Sequence, residues 1–467
     1  MSASDAPHRG GTDSVAPSEG RGEDVDRTAL DRLAARDWEG VRGVLAALPV
    51  PEVAEVLRAA EGQDGLLFFR LLPREQAAEV FSYLEAHEED EILRQLTEAE
   101  ARALLASIAP DDRTGLLEEL PGAAVQKLLN LLSAEDLREA RRFLGFPEES
   151  VGRLATPDYV AVRPDWTVAQ ALAHLRRVGR DSETIDVIYV TEKPSWRLAG
   201  VAELRRLILA DPESTVSEAM RAPHVVLQAT DDREEAVRAM GRYDLPVLPV
   251  VDAAGVLIGI VTHDDVFDVA QEEVTEDIHK TASVFPLRAS YRRASVLHLY
   301  RKRVGWLAAL LVISLLSSSI IAAFEETLAR VVALAFFIPL LIGTGGNTGS
   351  QSAMLMVRAL VTDDISLRDW FRTLLKELAV GALLGATLAL GAYALGAWQA
   401  DPRVGLVVGA SLMAIVVVAN LVGMLLPFLL ARLRLDPTVA SSPLITTIAD
   451  AGGLLIYFGM ATWLLGL

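Results

Sequence analysis

The chain has 467 residues, of which 51% are hydrophobic, and a net charge of −19, so it exceeds one ordinary core and should hold several domains. The negative charge disfavours a nucleic-acid partner, whose phosphates it would repel, and favours cations as ligands. The lack of cysteine excludes disulfides and thiolate metal sites, and the seven histidines have no ligand-like spacing that predicts a zinc site.

The charge is concentrated in the first two thirds of the chain. Residues 304–467 carry 8 basic and 9 acidic side chains, which leaves a charge of −18 for residues 1–303. Residues 1–27 have no apolar run and do not read as a secretory signal. We therefore expect a disordered leader at 1–27, an acidic cytoplasmic part, and a nearly neutral membrane part.

Residues 28–148 are predicted to form an all-α domain built from repeats. Leu-Pro or Leu-Thr pairs begin at Leu48, Leu72, Leu96 and Leu120, a spacing of 24 residues. Proline or threonine before an acidic residue is typical of a helix start, so each repeat should hold two short helices. Stacked helix pairs would make a superhelical, solenoid-like domain, with an irregular helical bundle as the alternative.

In residues 149–275 the pattern changes to β-branched runs that alternate with helical ones. Val160 and Ala171 in the first half match Val225 and Ala236 in the second half, at a spacing of 65. A tandem of small α/β units favours a ligand-sensing pair over an enzyme core. Each unit resembles the CBS domain, and two copies would make the usual tandem pair.

Thr262 and Asp265 in the run GIVTHDD form a candidate nucleotide site. The run is similar to the CBS pattern in which Thr and Asp hold the ribose of an adenine nucleotide, since both can bond ribose hydroxyls. The first copy has Glu203 and Arg206 at the matching places, so at most one ATP site is expected. A capped turn between a strand and a helix is the alternative.

Residues 276–303 are predicted to form a connecting helix that is amphipathic and basic. Such a segment also suits attachment to anionic membrane lipid on the cytoplasmic side. Its basic residues include Arg288, Arg292, Arg293, Arg301, Lys302 and Arg303.

Residues 304–467 are predicted to form a membrane domain with five helical spans. The apolar segments run approximately over 304–324, 329–357, 377–398, 404–431 and 443–467. Basic residues lie before the first segment, between the second and third, and between the fourth and fifth. The positive-inside rule then places the amino-terminal domains in the cytoplasm and Leu467 outside, as expected of a multi-pass protein of the cytoplasmic (inner) membrane.

Asp450 lies in an otherwise uncharged stretch and is the one carboxylate that we place inside an apolar segment. A lone intramembrane acid is expensive and marks a functional site, and here it indicates a cationic ligand. Asn347, in the glycine-rich run GTGGNTGSQS, and Asn420 would extend a polar path through the bilayer. Alternatively, these glycines and amides only hold helices together.

Several of these motifs together resemble the MgtE family of magnesium channels. The runs GTGGNTGSQSAMLMVRAL, NLVGMLLPFLL and PLITTIADAGGLLIYF carry the resemblance in the membrane part. The helical repeats, the CBS pair and the run TEDIHK carry it in the cytoplasmic part, so it covers the chain from about Asp31 onward.

The resemblance implies a homodimer with one pore, in which Asp450 of each subunit forms the Mg²⁺ site. Mg²⁺ dehydrates reluctantly, so carboxylates and carbonyl oxygens near Thr446 would hold it through its waters. Ser350 and Ser442 stand where the family pattern has asparagine, and this difference affects the expected cytoplasmic mouth.

The resemblance also implies that Mg²⁺ closes the pore by bridging carboxylates of the cytoplasmic part, a population shift toward the compact state. For any one of these acids, a solvated surface charge is the alternative, and a modulating role for ATP stays open. The matching acids are Asp111, Asp244, Asp265, Asp268, Glu273, Glu276, Asp277 and Asp436.

The sequence therefore predicts a Mg²⁺-selective, Mg²⁺-inhibited channel rather than an enzyme. An ion-coupled secondary transporter for Mg²⁺ or another divalent cation is the main alternative. An intramembrane aspartic protease is disfavoured, because such enzymes pair two acids of one chain and no second intramembrane aspartate is present.

Overall fold

The computed structural model describes residues 32, 35–60, 63–120, 122–287, 291, 294–362 and 364–466. It divides into two compact units, residues 1–270 and residues 271–467. The predicted features that lie outside the described residues are the leader at 1–27, the basic residues Arg288, Arg292 and Arg293, and the terminal Leu467.

The first unit opens with a run of short helices. In the described residues they are α1 (Trp38–Ala47), α2 (Val50–Ala59), α3 (Gln63–Leu71), α4 (Arg74–Ser82), α5 (Ala86–Gln95), α6 (Glu98–Leu105), α7 (Pro110–Glu119), α8 (Gly122–Leu129) and α9 (Ala134–Phe143). Helices α2, α4, α6 and α8 start 24 residues apart, and so do α5, α7 and α9. The predicted repeat of two helices per 24 residues is confirmed.

Capping side chains and a shared apolar core explain these helices. Thr97 and Glu100 form a reciprocal capping box at the start of α6, in which the Thr97 N–H donates to the Glu100 carboxylate at 2.8 Å. Each amphipathic helix contributes buried side chains to one continuous core, including Val53, Phe68 and Phe81.

Two similar α/β copies follow, joined to the helical repeats by α10 (Val151–Leu154). The first copy consists of β1 (Ala161–Val162), α11 (Val168–Val178), β2 (Val187–Glu192), β3 (Arg197–Glu203), α12 (Leu204–Leu209) and α13 (Val216–Ala219). The second copy consists of β4 (Leu227–Gln228), α14 (Arg233–Tyr243), β5 (Val247–Val251) and β6 (Leu257–Thr262).

The two copies share one topology. In each three-stranded sheet the first strand pairs parallel with the second, which pairs antiparallel with the third. Both bounds of α14 lie 65 residues after the bounds of α11. The predicted internal duplication and the α/β class of this region are therefore confirmed.

The connecting segment differs from the prediction of one helix over residues 276–303. Helix α15 (His263–Thr281) begins directly after β6, and α16 begins only at Val296. Between them Ser283 has a left-handed φ of 59° and Pro286 lacks an N–H, and both features end a helix. The predicted single helix is wrong, because its residues divide among the end of α15, a non-helical segment and the start of α16.

The second unit contains the five predicted spans. They cover Val296–Ala323, Val332–Val361, Leu367–Gln399, Pro402–Arg432 and Ser442–Leu465. Their helices are α16 (Val296–Ala323), α18 (Ile338–Val361), α19 (Trp370–Gln399), α20 (Pro402–Arg432) and α21 (Ser442–Leu465), with a short α17 (Glu325–Arg330) before the second span. The third span starts ten residues earlier than the sequence predicted.

Close helix packing explains the glycine-rich run of the second span, since α18 is continuous through it. A Cβ at Gly346 would lie 2.8 Å from Thr446 Cγ2 of α21, and a Cβ at Gly423 of α20 would lie 2.2 Å from the carbonyl oxygen of Gly349. Only glycine permits such approach, so of the two interpretations the structure supports close contact between helices.

Candidate ion sites

Asp450 lies in the middle of α21, half-buried, with no polar partner for one of its oxygens. Its Oδ1 is buried and accepts no hydrogen bond from the described residues. A buried acceptor without a partner is unfavourable, so this oxygen is available to a ligand. In the described part of this single chain, no three Asp, Glu or His side chains are grouped to hold a metal ion.

Thr446 lies one helical turn before Asp450 and is bonded where α18 and α21 meet. Its hydroxyl donates to the Ser442 carbonyl at 2.9 Å and lies 3.3 Å from the Ser350 hydroxyl. Ser350 is also 3.3 Å from the Ser442 carbonyl. The two serines that replace the expected asparagines are thus in contact with each other. Asn347 lies on an exposed face of α18 in the single chain.

Asn420 is buried in α20, where its side-chain amide joins two helices. The Nδ2 group donates to the backbone carbonyl of Glu377 at 2.8 Å and to Glu377 Oε2 at 2.7 Å. Both amide hydrogens are therefore used on α19. This is the helix-joining role that the sequence left open as the alternative to lining a polar path.

Glu377 is a second carboxylate within a span, and the sequence reasoning missed it. It is buried in α19, 7% exposed, and the Ser352 hydroxyl of α18 lies 3.1 Å from its Oε2. The statement that Asp450 is the one carboxylate inside an apolar segment is therefore wrong. The signal was a helix start at the capping pair Ser366 and Asp369, which places Glu377 well inside the helix.

A lysine occupies the position that we predicted for an ion at Asp436. Lys280 Nζ lies 2.6 Å from Asp436 Oδ2 and 2.6 Å from Glu276 Oε1. The Thr438 N–H donates to the other oxygen of Asp436 at 2.8 Å. Burial alone would raise the pKa of Asp436, but the bonds from Lys280 and Thr438 outweigh it and hold that pKa below its ordinary value.

The same contact ties the end of α15 to the segment that precedes α21. Burial alone would lower the pKa of Lys280, but the carboxylates of Asp436 and Glu276 outweigh it and raise that pKa. Close by, the Ser283 hydroxyl donates to the Ser441 hydroxyl at 2.7 Å, and both side chains are buried.

An acidic cluster in the first unit is centred on Asp111 of α7 and Asp265 of α15. Burial, followed by repulsion from Asp265, raises the pKa of Asp111 well above its ordinary value. Burial raises the pKa of Asp265 to about 7, even though the Thr262 hydroxyl donates to its Oδ2 at 2.7 Å. Two predicted regulatory acids, distant in sequence, are thus close enough to repel each other.

Three further acids, which the sequence reasoning missed, extend this acidic cluster. Burial and repulsion from Asp264 raise the pKa of Asp112 and of Glu183. The Asp-Asp pairs at 111–112 and 264–265 could be seen in the sequence, whereas no sequence pattern indicated that Glu183 belongs to this cluster. Arg113, two residues after Asp111, forms an ion pair with Glu139 at 2.5 Å.

The remaining predicted regulatory acids are Asp244, Asp268, Glu273 and Asp277. Asp244 is exposed and ends α14 with a left-handed φ of 51°, a conformation that aspartate tolerates. Asp268 is exposed on α15, and Glu273 and Asp277 are half-buried on the same helix. Their regulatory role stays a prediction.

A cleft in the CBS pair does not contain the predicted nucleotide pair. Thr262 is buried and its hydroxyl lies 2.5 Å from Asp264 Oδ1, within the acidic cluster. The cleft has a volume of about 820 Å³ and is lined by both copies, with Glu203 of the first copy ion-paired to Arg221. That volume suits a nucleotide-sized ligand.

Three family-wide sequence models match this chain. The MgtE divalent cation transporter model matches residues 338–460, the MgtE intracellular N domain matches 48–149, and the CBS domain matches 216–272. These matches fall on the membrane spans, the helical repeats and the second α/β copy.

Whole-length relatives agree with these matches. The chain is 45% identical to "Magnesium transporter MgtE" of Thermus thermophilus, over 93% of this chain and 97% of that protein. It is 33% identical to "Magnesium transporter MgtE" of Bacillus subtilis, over 88% and 94%. A crystal structure of the cytosolic domain of the Mg²⁺ channel MgtE in complex with ATP matches with a TM-score of 0.50 and 37% identity, covering 52% of this chain and 99% of that one.

Proposed function

Since this chain belongs to the MgtE family of magnesium transporters, we propose that it is a Mg²⁺ channel in which Asp450 binds the permeating ion. The observation that carries this proposal is the buried, unpartnered Oδ1 of Asp450 inside a membrane span. One carboxylate suits Mg²⁺, which usually keeps several waters and takes one or two carboxylates from the protein.

The channel is proposed to be a homodimer of the cytoplasmic membrane. A single carboxylate balances half the charge of a divalent ion, and a two-fold axis through the pore would supply the second Asp450. The amino-terminal domains would lie in the cytoplasm and the carboxyl terminus outside, in keeping with the basic residues between the spans.

We further propose that cytoplasmic Mg²⁺ closes the channel by binding in the acidic cluster of the first unit. The raised pKa values of Asp111 and Asp265 reflect burial and repulsion from neighbouring acids, and a divalent cation would relieve that repulsion. A ligand that binds one conformation better shifts the population toward it. The cleft with Glu203 and Arg221 would take ATP as a modulator, because a relative's cytosolic domain is described in complex with ATP.

An ion-coupled secondary transporter remains the competing mechanism, and flux separates the two. The purified protein in liposomes should pass Mg²⁺ down its gradient with no counter-ion gradient, and the current should reverse when the Mg²⁺ gradient is reversed. Strict dependence of Mg²⁺ uptake on an opposing Na⁺ or H⁺ gradient would reject the channel in favour of the transporter.

A further inference from the structure

One oxygen of Glu377 connects three membrane spans. Its Oε2 accepts a bond from Asn420 Nδ2 of α20 at 2.7 Å and lies 3.1 Å from the Ser352 hydroxyl of α18. Asn420 Nδ2 also donates to the Glu377 backbone carbonyl, and the Ser352 hydroxyl lies 3.0 Å from the Asn420 carbonyl. All three side chains are buried, so these bonds form without competition from bulk solvent.

The carboxylate has no basic partner among the ion pairs of the described residues. Burying an acid held by neutral donors alone is unfavourable compared with burying an amide. A carboxylate, however, only accepts hydrogen bonds, so the Asn420 amide must donate to it, and the single hydrogen of the Ser352 hydroxyl is shared between this carboxylate and the Asn420 carbonyl. The group therefore fixes one arrangement of the three helices.

Ser352 lies on one side of α18, and the other side of that helix meets α21. There Ser350 lies 3.3 Å from the Thr446 hydroxyl, and Gly346 packs against Thr446. Because α18 is a continuous helix, a shift at Ser352 moves Ser350 as well. The bonds to Glu377 thus bear on the contact that adjoins the ion site at Asp450, one turn farther along α21.

We propose that Glu377 is a positioning residue for ion passage: through Ser352 and Asn420 it holds α18 against α21. The proposal rests on the proposed function only where flux is the readout. Loss of the acceptor should lower the maximal Mg²⁺ flux and leave the half-saturating Mg²⁺ concentration unchanged, because Asp450 sets that concentration and lies on another helix.

Flux through the full-length protein in liposomes tests whether maximal flux falls while the half-saturating Mg²⁺ concentration stays the same. Glu377→Ala should reduce maximal flux by about tenfold or more, since misplacement of about 1 Å is enough for such a loss. Glu377→Gln keeps an acceptor oxygen and should stay within about threefold of the original protein. Glu326→Ala, at an exposed glutamate of α17, is the matched control and should leave flux unchanged.

A second readout does not depend on transport. The chain has no cysteine, so Ser350→Cys with Thr446→Cys places two thiols where the hydroxyls are 3.3 Å apart. The disulfide should form readily in this background and with Glu377→Gln, and markedly more slowly with Glu377→Ala. Should Glu377→Ala fail to fold, Ser352→Ala removes one of the two bonds and should slow the disulfide as well.

The outcomes are distinct. Full flux or an unchanged disulfide rate in the alanine variant would overturn the positioning role. A glutamine variant as poor as the alanine variant would overturn it too, because charge rather than an acceptor would then be required. If the original protein carries no Mg²⁺ flux while the disulfide rates differ as expected, the proposed function fails and the positioning role stands.

Discussion

The first compact unit has carboxylates that are clustered with other acids, whereas the membrane unit has carboxylates that lie singly on their membrane helices. In the first unit, Asp111 is buried and Asp265 is half-buried, and burial together with repulsion from neighbouring acids raises the pKa of both. In the membrane unit, Asp450 and Glu377 each lie alone on their own helix: Asp450 has one oxygen without a partner among the described residues, and Glu377 is held by neutral donors. Repulsion shared among several acids suits closure of the channel by several Mg²⁺ ions acting together. A single carboxylate in a span, by contrast, is a site that ion passage cannot do without.

The largest effect should come from Asp450, if the membrane unit depends on one carboxylate. Asp450→Asn keeps the size of the side chain and removes its charge, and Asp450→Ala removes both. Each should lower Mg²⁺ flux by about 100-fold or more, as expected for loss of the charge that binds the hydrated ion. Flux into liposomes measures this.

Asp364→Asn, at an exposed acid between the second and third spans, is the control for this experiment and should transport normally. Size-exclusion chromatography of each variant establishes that it is folded. Unchanged flux in folded Asp450→Ala would refute the pore assignment.

The next effect concerns the acidic cluster of the first unit. Asp111→Asn combined with Asp265→Asn removes the repulsion that Mg²⁺ would relieve. We expect the cytoplasmic Mg²⁺ concentration for half-closure to rise by about tenfold, within the usual range of coupling between two sites. Flux at varied internal Mg²⁺ measures it, with Glu55→Gln, at an exposed acid of α2, as the control. A normal closing curve in the double variant would contradict the sensor role.

The raised pKa of Asp265 should also make the stability of the first unit depend on pH. Unfolded Asp265 releases its proton near its ordinary pKa of 3.8, whereas the folded state keeps it until pH is about 7. Between these values the folded state binds more protons, so its free energy of unfolding decreases as pH rises from about 4 to about 7. The loss is a few kcal/mol at most, by about 1.4 kcal/mol for each unit of pKa shift.

Thermal unfolding of the cytosolic part without Mg²⁺ should therefore occur at a lower temperature at pH 7.5 than at pH 5. Asp265→Asn should flatten this dependence, and added Mg²⁺ should recover stability mainly at the higher pH. A transition temperature that rises from pH 5 to pH 7.5 would show that other groups dominate.

The smallest effect should come from Lys280, whose ion pairs with Glu276 and Asp436 are partly exposed. Lys280→Met removes the ammonium that occupies both carboxylates, so Mg²⁺ should bind there more tightly and close the channel at a two- to fivefold lower concentration (about 1 kcal/mol or less, as for partly exposed pairs). Internal Mg²⁺ titration of flux measures the shift, and exposed Lys376→Met is the control. A higher closing concentration would mean that Lys280 does not compete with the ion.

Local patterns were enough to predict much of the fold. The 24-residue repeat and its capping pair Thr97 and Glu100 depend on neighbouring residues, and both appear in the structure. The CBS duplication and the five spans follow likewise from periodicity and length.

The site was harder to predict because its contacts join distant parts of the chain. Lys280 and Asp436 are 156 residues apart in the sequence. Glu183 is likewise distant in sequence from Asp112 and Asp264, and only folding brings it near them. Glu377 was missed because its helix begins in a polar segment, so hydropathy alone placed this residue at a boundary. The predicted connecting helix was too long because the prediction followed the amphipathic pattern and gave too little weight to Pro286, which ends a helix.

The predicted ion sites at Asp450 and Asp436 also differ in what an arriving ion has to displace. Among the described residues nothing is bonded to Asp450 Oδ1, so an arriving ion that is held through its waters displaces no protein group there. At Asp436 the ion must first displace the Lys280 ammonium, which lies 2.6 Å from the Asp436 carboxylate. We therefore expect many ions to cross the pore during one opening, because an ion has no protein group to displace at Asp450 and has an ammonium to displace at Asp436.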